Sequence, residues 1–138
     1  MINNVNIAKL NSNGLTTENL VSHKPKFDKS VFYNSTSSFI IPKDPGVYFI
    51  TDFRGVLYIG ETQNLRQRFA QHMFKEKNVS LKIAVGNPCG EVKFHWFVTS
   101  NKFKALKLQK DWIRLFNPIC NNIKYKKNKE EICQLYQQ

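Results

Sequence analysis

The sequence predicts an α/β domain of the α+β sandwich kind, a small three-stranded, mainly antiparallel sheet flanked by helices. Two short runs rich in β-branched and aromatic residues, Val47–Thr51 and Val56–Ile59, flank the turn residues Asp52-Phe53-Arg54-Gly55, which reads as a hairpin. A third run, Val92–Val98, alternates Val, Phe, Trp and Val with Lys, His and Phe, the pattern of a half-buried strand. Two further segments repeat their apolar residues at helical spacing, and these supply the flanking helices.

Each element can be justified in chain order. Residues 1–44 form an N-terminal extension dominated by Asn, Ser, Thr and Lys, with a short helix start at Thr16-Thr17-Glu18 and little periodicity elsewhere. Phe39-Ile40-Ile41, followed by Pro42 and Pro45, reads as an apolar latch and a turn into the domain proper, expected over 45–123. The hairpin places Tyr48 and Tyr58 on neighbouring strands, and Gly60 lets the chain leave the sheet tightly. Thr62 or Asn64 can then cap a helix running to about Phe74, with Leu65, Phe69 and Met73 on one stripe. Arg68 and His72 are four residues apart and project from one face beside that stripe. Residues 78–90 read as a loop or a weak strand ending in the turn Asn87-Pro88-Cys89-Gly90. The second helix is expected from about Lys102 to Phe116, with Ala105, Leu108, Trp112, Ile113 and Phe116 facing the core, and Pro118 ends it. The remainder, 124–138, is a basic tail in which a short helix closes the chain.

Composition narrows the partners. With 138 residues and 41% hydrophobic content, the chain holds one domain with a real core. Lys and Arg number 21 against 10 Asp and Glu, a net charge of +11 that favours an anionic partner, nucleic acid ahead of a membrane surface. Lys24, Lys26, Lys29, Lys43 and the basic tail could extend a phosphate-tracking surface. Cys89, Cys120 and Cys133 are odd in number and lack C-x-x-C spacing, so the expectation is a soluble, cytoplasmic protein with reduced thiols. The first residues contain no continuous apolar stretch, and no run approaches a membrane span.

Gly46-Val47-Tyr48, Tyr58-Ile59-Gly60, Arg68, His72 and Asn121 form a spaced series. Tyr58 precedes Arg68 by ten positions and His72 by fourteen, and Gln109 precedes Asn121 by twelve. In this combination the chain resembles the GIY-YIG nuclease domain, the fold of excision-repair, homing and some restriction endonucleases. The resemblance covers roughly Pro45 to Ile123. It implies metal-dependent hydrolysis of DNA phosphodiesters, with Mg²⁺ or Mn²⁺ as cofactor and DNA ahead of RNA as partner. It further implies that Tyr48 or Tyr58 orients or deprotonates the attacking water, with the first-motif tyrosine favoured, and that Arg68 holds the scissile phosphate. His72 would transfer a proton or contact the phosphate, Gly60 would matter for its backbone conformation, and Asn121 would fix the site from the far end of the domain.

The chain departs from the family pattern at two positions. Gln109 stands where the family carries a metal-binding Glu. Its neutral amide oxygen has nearly the same shape but holds a hard divalent ion far less well. Three readings follow: a branch that cuts with Gln, a cleavage-deficient nucleic-acid-binding module, or a Glu→Gln substitution made to disable the site. Glu61 stands where many members carry Lys. It could pair with Arg66, supply the charge that Gln109 lacks, or favour the nearby helix start. Oligomeric state and substrate preference have no marker in the sequence.

Overall fold

A computed structural model describes residues 29–122. The elements run β1 (Lys29–Phe32), a 3₁₀ turn (Ser35–Phe39), β2 (Gly46–Asp52), β3 (Gly55–Thr62), α1 (Leu65–Phe74), α2 (Val79–Gly86), β4 (Lys93–Val98) and α3 (Lys102–Phe116). The sheet has four strands rather than three, in the order β1-β4-β2-β3, and every pairing is antiparallel. The added strand comes from the segment expected to be irregular. Only Val31 of its four residues is buried, too short a pattern to register as alternation. The helix start at Thr16 and the basic tail lie outside the described residues.

The expected hairpin is β2–β3, with Gly55 at φ +110, a value that favours glycine. Its turn is fixed by Asp52. One Asp52 carboxylate oxygen accepts the Arg54 amide at 2.8 Å, and the other accepts the Arg54 guanidinium at 2.6 Å. The second also takes the Cys89 amide at 3.1 Å, while Arg54 reaches on to the Ala84 carbonyl at 2.8 Å.

Residues 78–90 contain helix α2 where a loop or weak strand was expected. Val79–Gly86 is eight residues in which Val, Leu, Ile and Val alternate with Ser, Lys and Ala, a short pattern that suits a strand as well as a helix. The helix is selected from its ends. Asn78 accepts the Leu81 amide as N-cap and donates its own amide to the Cys120 carbonyl at 2.7 Å, while Arg54 holds the last turn.

Residues paired across antiparallel strands share a face, and the sheet separates two cores. On one face Tyr48, Ile50, Leu57, Phe94 and Trp96 pack with Leu65 and Phe69 of α1 and Leu81 and Ala84 of α2. On the other, Val47, Phe49 and Ile59 pack with Ala105, Trp112 and Ile113 of α3. β3 lies at the end of the sheet, and the segment after α3 covers its edge, where the Cys120 amide donates to the Leu57 carbonyl at 2.8 Å. No helix among the described residues is long and apolar enough to cross a membrane.

Candidate active site

Helix α1 begins where Asn64, rather than Thr62, accepts the Gln67 amide at 3.0 Å. The Thr62 hydroxyl steadies the cap by accepting the Asn64 amide at 3.1 Å. This start sets the phase of the helix, so that Phe69 enters the core and His72 is buried one turn later, against β2.

Tyr48 is the centre of the arrangement. Its ring stacks on Phe94 with centroids 5.0 Å apart, and the rings of Tyr58 and His72 lie 6.1 and 5.3 Å away. Tyr48 pairs with Gly60 across the strands, and a Cβ on Gly60 would overlap the Tyr48 phenol. This corrects the expectation for Gly60. The residue lies inside β3, outside the left-handed region, and what it supplies is room for the ring. Gly46 is equally confined, because a Cβ there would run into the Phe97 carbonyl of β4.

The Tyr48 hydroxyl lies 2.6 Å from His72 Nε2, and His72 Nδ1 lies 2.6 Å from a carboxylate oxygen of Glu76. A carboxylate accepts, so Nδ1 carries the proton and donates it, and Nε2 is left to accept from Tyr48 O–H. The other Glu76 oxygen accepts the Asn78 amide at 2.9 Å. Burial pushes the Tyr48 phenol well above its ordinary range, and the neighbouring Tyr58 adds to this, while the charge of Arg68 opposes it. Tyr58 is also raised, mainly by burial, again against the pull of Arg68. His72 is lowered from 6.5 by burial, an effect that its bond to Glu76 offsets in part. The site at neutral pH is therefore a phenol bonded to a neutral imidazole, with a guanidinium close enough to act on both tyrosines.

Asn121 brackets the backbone of Ile59, accepting its amide at 2.9 Å and donating to its carbonyl at 2.8 Å. It behaves as a one-residue strand on the edge of β3 and fixes the residue that follows Tyr58. Gln109 lies half-buried on α3, between Ala105 and Ile113 on the side that meets the sheet. Glu61 pairs with Val47, whose side chain packs against α3, so Glu61 belongs to that side too. Its charge reaches Tyr58, and one of its carboxylate oxygens is buried without a hydrogen-bond partner. Pairing of Glu61 with Arg66 is not what forms, because Arg66 instead donates to the Ile41 carbonyl at 2.7 Å.

The structure thus brings Tyr48, Tyr58 and His72 together with Arg68 acting on them, and gives Asn121 a backbone-fixing place. No hydrogen bond among the described residues joins Gln109 to the tyrosines. Sequence reasoning missed Glu76, which lies past the end of α1 at Phe74, so the i,i+4 rule for helices did not apply to it. It also missed the stacking of Phe94 on Tyr48, which needs the register of β4 and has no local signature.

Fold and site together define an α+β domain built around a tyrosine–histidine hydrogen bond near the edge strand of an antiparallel sheet. A family model described as the GIY-YIG catalytic domain matches residues 44–126, more than half of the chain, and the chain belongs to that family. UvrABC system protein C of Hydrogenobaculum sp. (strain Y04AAS1) is 38% identical over 81 residues, covering 58% of this chain and 14% of that protein. The protein of the same name from Mycobacterium leprae (strain Br4923) is 32% identical over 103 residues, covering 74% of this chain and 15% of that protein. The chain thus spans only a small part of these curated relatives.

Among solved structures, the GIY-YIG N-terminal endonuclease domain of UvrC from Thermotoga maritima, bound to its catalytic magnesium, superposes with a TM-score of 0.52 at 23% identity. The match covers 62% of this chain and 92% of that one, and it establishes the shared fold.

Proposed function

We propose that this domain is a divalent-metal-dependent DNA endonuclease that hydrolyses phosphodiester bonds through Tyr48, His72 and Arg68. The observation that carries the reading is the 2.6 Å bond from Tyr48 to His72 Nε2. A buried phenol with a raised pKa is a poor base by itself, but next to a neutral imidazole it can pass its own proton on while taking one from water. Water oxygen then bonds to phosphorus, Tyr48 oxygen takes the water proton, and the original Tyr48 proton moves to His72 Nε2. The phosphorus–oxygen bond to the leaving strand breaks as that oxygen is protonated from solvent. Arg68 faces the growing negative charge on phosphate, Tyr58 orients the water, and Asn121 keeps β3 in place.

The residues present fit a hard divalent ion. A buried carboxylate oxygen without a donor, as on Glu61, is costly unless a cation meets it. Glu61 shares the α3 side of the sheet with Gln109, and the two would hold the ion through one anionic and one amide oxygen. Among the described residues no group of three or more His, Cys, Asp or Glu could form a dedicated cage, and magnesium keeps most of its waters in such sites. When bound, the ion would offset charge on the phosphate oxygens. DNA is the proposed substrate because of the net charge of +11.

Gln109 itself favours a second reading, a module that binds nucleic acid without cutting it. Nicking of supercoiled plasmid in Mg²⁺ or Mn²⁺ separates the two. The endonuclease reading expects ion-dependent nicking that disappears in Tyr48→Phe and Arg68→Ala, and a higher ion requirement in Glu61→Gln. Equal background activity in the parent and those variants would remove it. Nicking only after Gln109→Glu, with salt-sensitive DNA binding in the parent, would establish the binding module. Its log affinity should fall against log salt with a slope of roughly −0.9 per phosphate contact.

A further inference from the structure

Glu76 belongs to neither motif of the series, yet it is the residue on which His72 closes. Its carboxylate is almost as buried as the imidazole, with side-chain exposures of 10% and 8%, and the two meet at 2.6 Å. It lies beyond the last residue of α1, so helix geometry alone does not bring it there. The Asn78 amide fixes its second oxygen just ahead of α2. A buried carboxylate held in this way costs stability unless it does something for its partner.

We propose that Glu76 is a positioning residue that fixes the tautomer of His72, keeping Nε2 bare toward Tyr48 and stabilising the imidazolium once the proton arrives. This rests on the reading of Tyr48 and His72 given above and adds to it the third member of the relay. Burial opposes a charged His72, and the hydrogen bond and charge of Glu76 oppose that effect. Without Glu76 the imidazole could turn its proton toward Tyr48 and would have no capacity for the one it must accept.

Among the described residues, the groups that act on His72 are few. Tyr48 faces it from β2 and Tyr58 from β3, Arg68 lies one turn earlier on α1, and Glu76 closes the far nitrogen. Tyr33 follows β1 and packs its ring on Phe69, and the Glu76 charge reaches its hydroxyl. Of these, Glu76 is the group that accepts from Nδ1.

The test is long-range proton–nitrogen NMR of His72 in the full chain, free of metal and DNA, titrated over pH for the parent, Glu76→Gln and Glu76→Asp. The parent should show a protonated Nδ1 and a bare Nε2. Glu76→Gln should mix or invert the tautomers and move the His72 titration to lower pH, and Glu76→Asp should restore part of both. A parent with Nε2 protonated, or a Glu76→Gln spectrum with unchanged tautomer and titration, overturns the proposal. Plasmid nicking is the second arm. Glu76→Gln should lose about 10²-fold in rate and show its acid limb at lower pH, since His72 must be neutral to accept and now stays neutral further down. A merely structural loss would lower the rate without moving that limb. If the parent does not nick at all, the endonuclease reading fails, while the NMR result still decides the role of Glu76.

Discussion

The two faces of the sheet are packed with equal care and to different ends. Toward α3 the core is aliphatic and aromatic, with Val47, Phe49 and Ile59 against Ala105, Trp112 and Ile113. Toward α1 the core surrounds Tyr48, and its rings Phe94, Tyr58 and His72 hold a titratable pair in a fixed relation. Adjacent residues of one strand serve the two purposes, since Tyr48 lies between Val47 and Phe49. A strand in this position can present the tyrosine–histidine pair to one side and be anchored by the other, the side that also carries Glu61 and Gln109. If that division holds, substitutions on the two faces should affect different quantities.

The largest contrast expected is between Trp112→Ala and Tyr48→Phe. Removing the buried indole should cost about 3–5 kcal/mol in urea unfolding, with the nicking rate of the remaining folded molecules close to that of the parent. Removing the Tyr48 hydroxyl should cost about 1 kcal/mol, since the ring still stacks on Phe94, yet reduce nicking by roughly 10²-fold or more. Equal losses of stability and rate in both variants would break the division between the faces.

Gly60→Ala sharpens the same comparison from inside the sheet. The added methyl meets the Tyr48 phenol, so either the ring leaves its place against His72 or β3 shifts. A destabilisation of about 1–3 kcal/mol is expected, with a loss of nicking like that of Tyr48→Phe. Gly86 is the control, because a Cβ there meets open space. A Gly60→Ala protein with full activity would mean that Tyr48 does not need its present position.

How much of this was legible depends on the range over which each signal acts. The hairpin, α1 and α3 were readable because local alternation, helical spacing, and the turn and cap residues agree over seven or more positions. β1 was not, since a four-residue strand with one buried side chain carries no period. α2 was not, since its run suits strand or helix and is decided by Asn78 and Arg54, contacts made with distant parts of the chain. In the site, spacing placed Arg68 and His72 on one face of α1, but it could not show that His72 meets Tyr48, 24 positions earlier. The glycine of the second motif was legible as a requirement and misread as to cause, because room for a ring is a property of the paired strand.

The smallest effect expected on nicking concerns Asp52, which belongs to the hairpin turn and to neither core cluster. Its carboxylate is fully buried beside the Arg54 guanidinium. Burial disfavours its ionised form, but the hydrogen bonds from Arg54, the Cys89 amide and the Arg54 amide prevail, and its pKa is held below 3.8. A depressed carboxylate contributes stability that is present above the unfolded value and lost as pH falls through the folded one. Asp52→Asn should therefore destabilise the domain by about 1–3 kcal/mol at neutral pH, with the difference from the parent shrinking once pH drops below about 3.8. Urea midpoints measured from pH 7 to pH 3 would read this directly. A difference independent of pH would assign the effect of Asp52 to shape rather than charge. A change in nicking rate per folded molecule would mean that the turn, and not only the face toward α1, governs where Tyr48 lies.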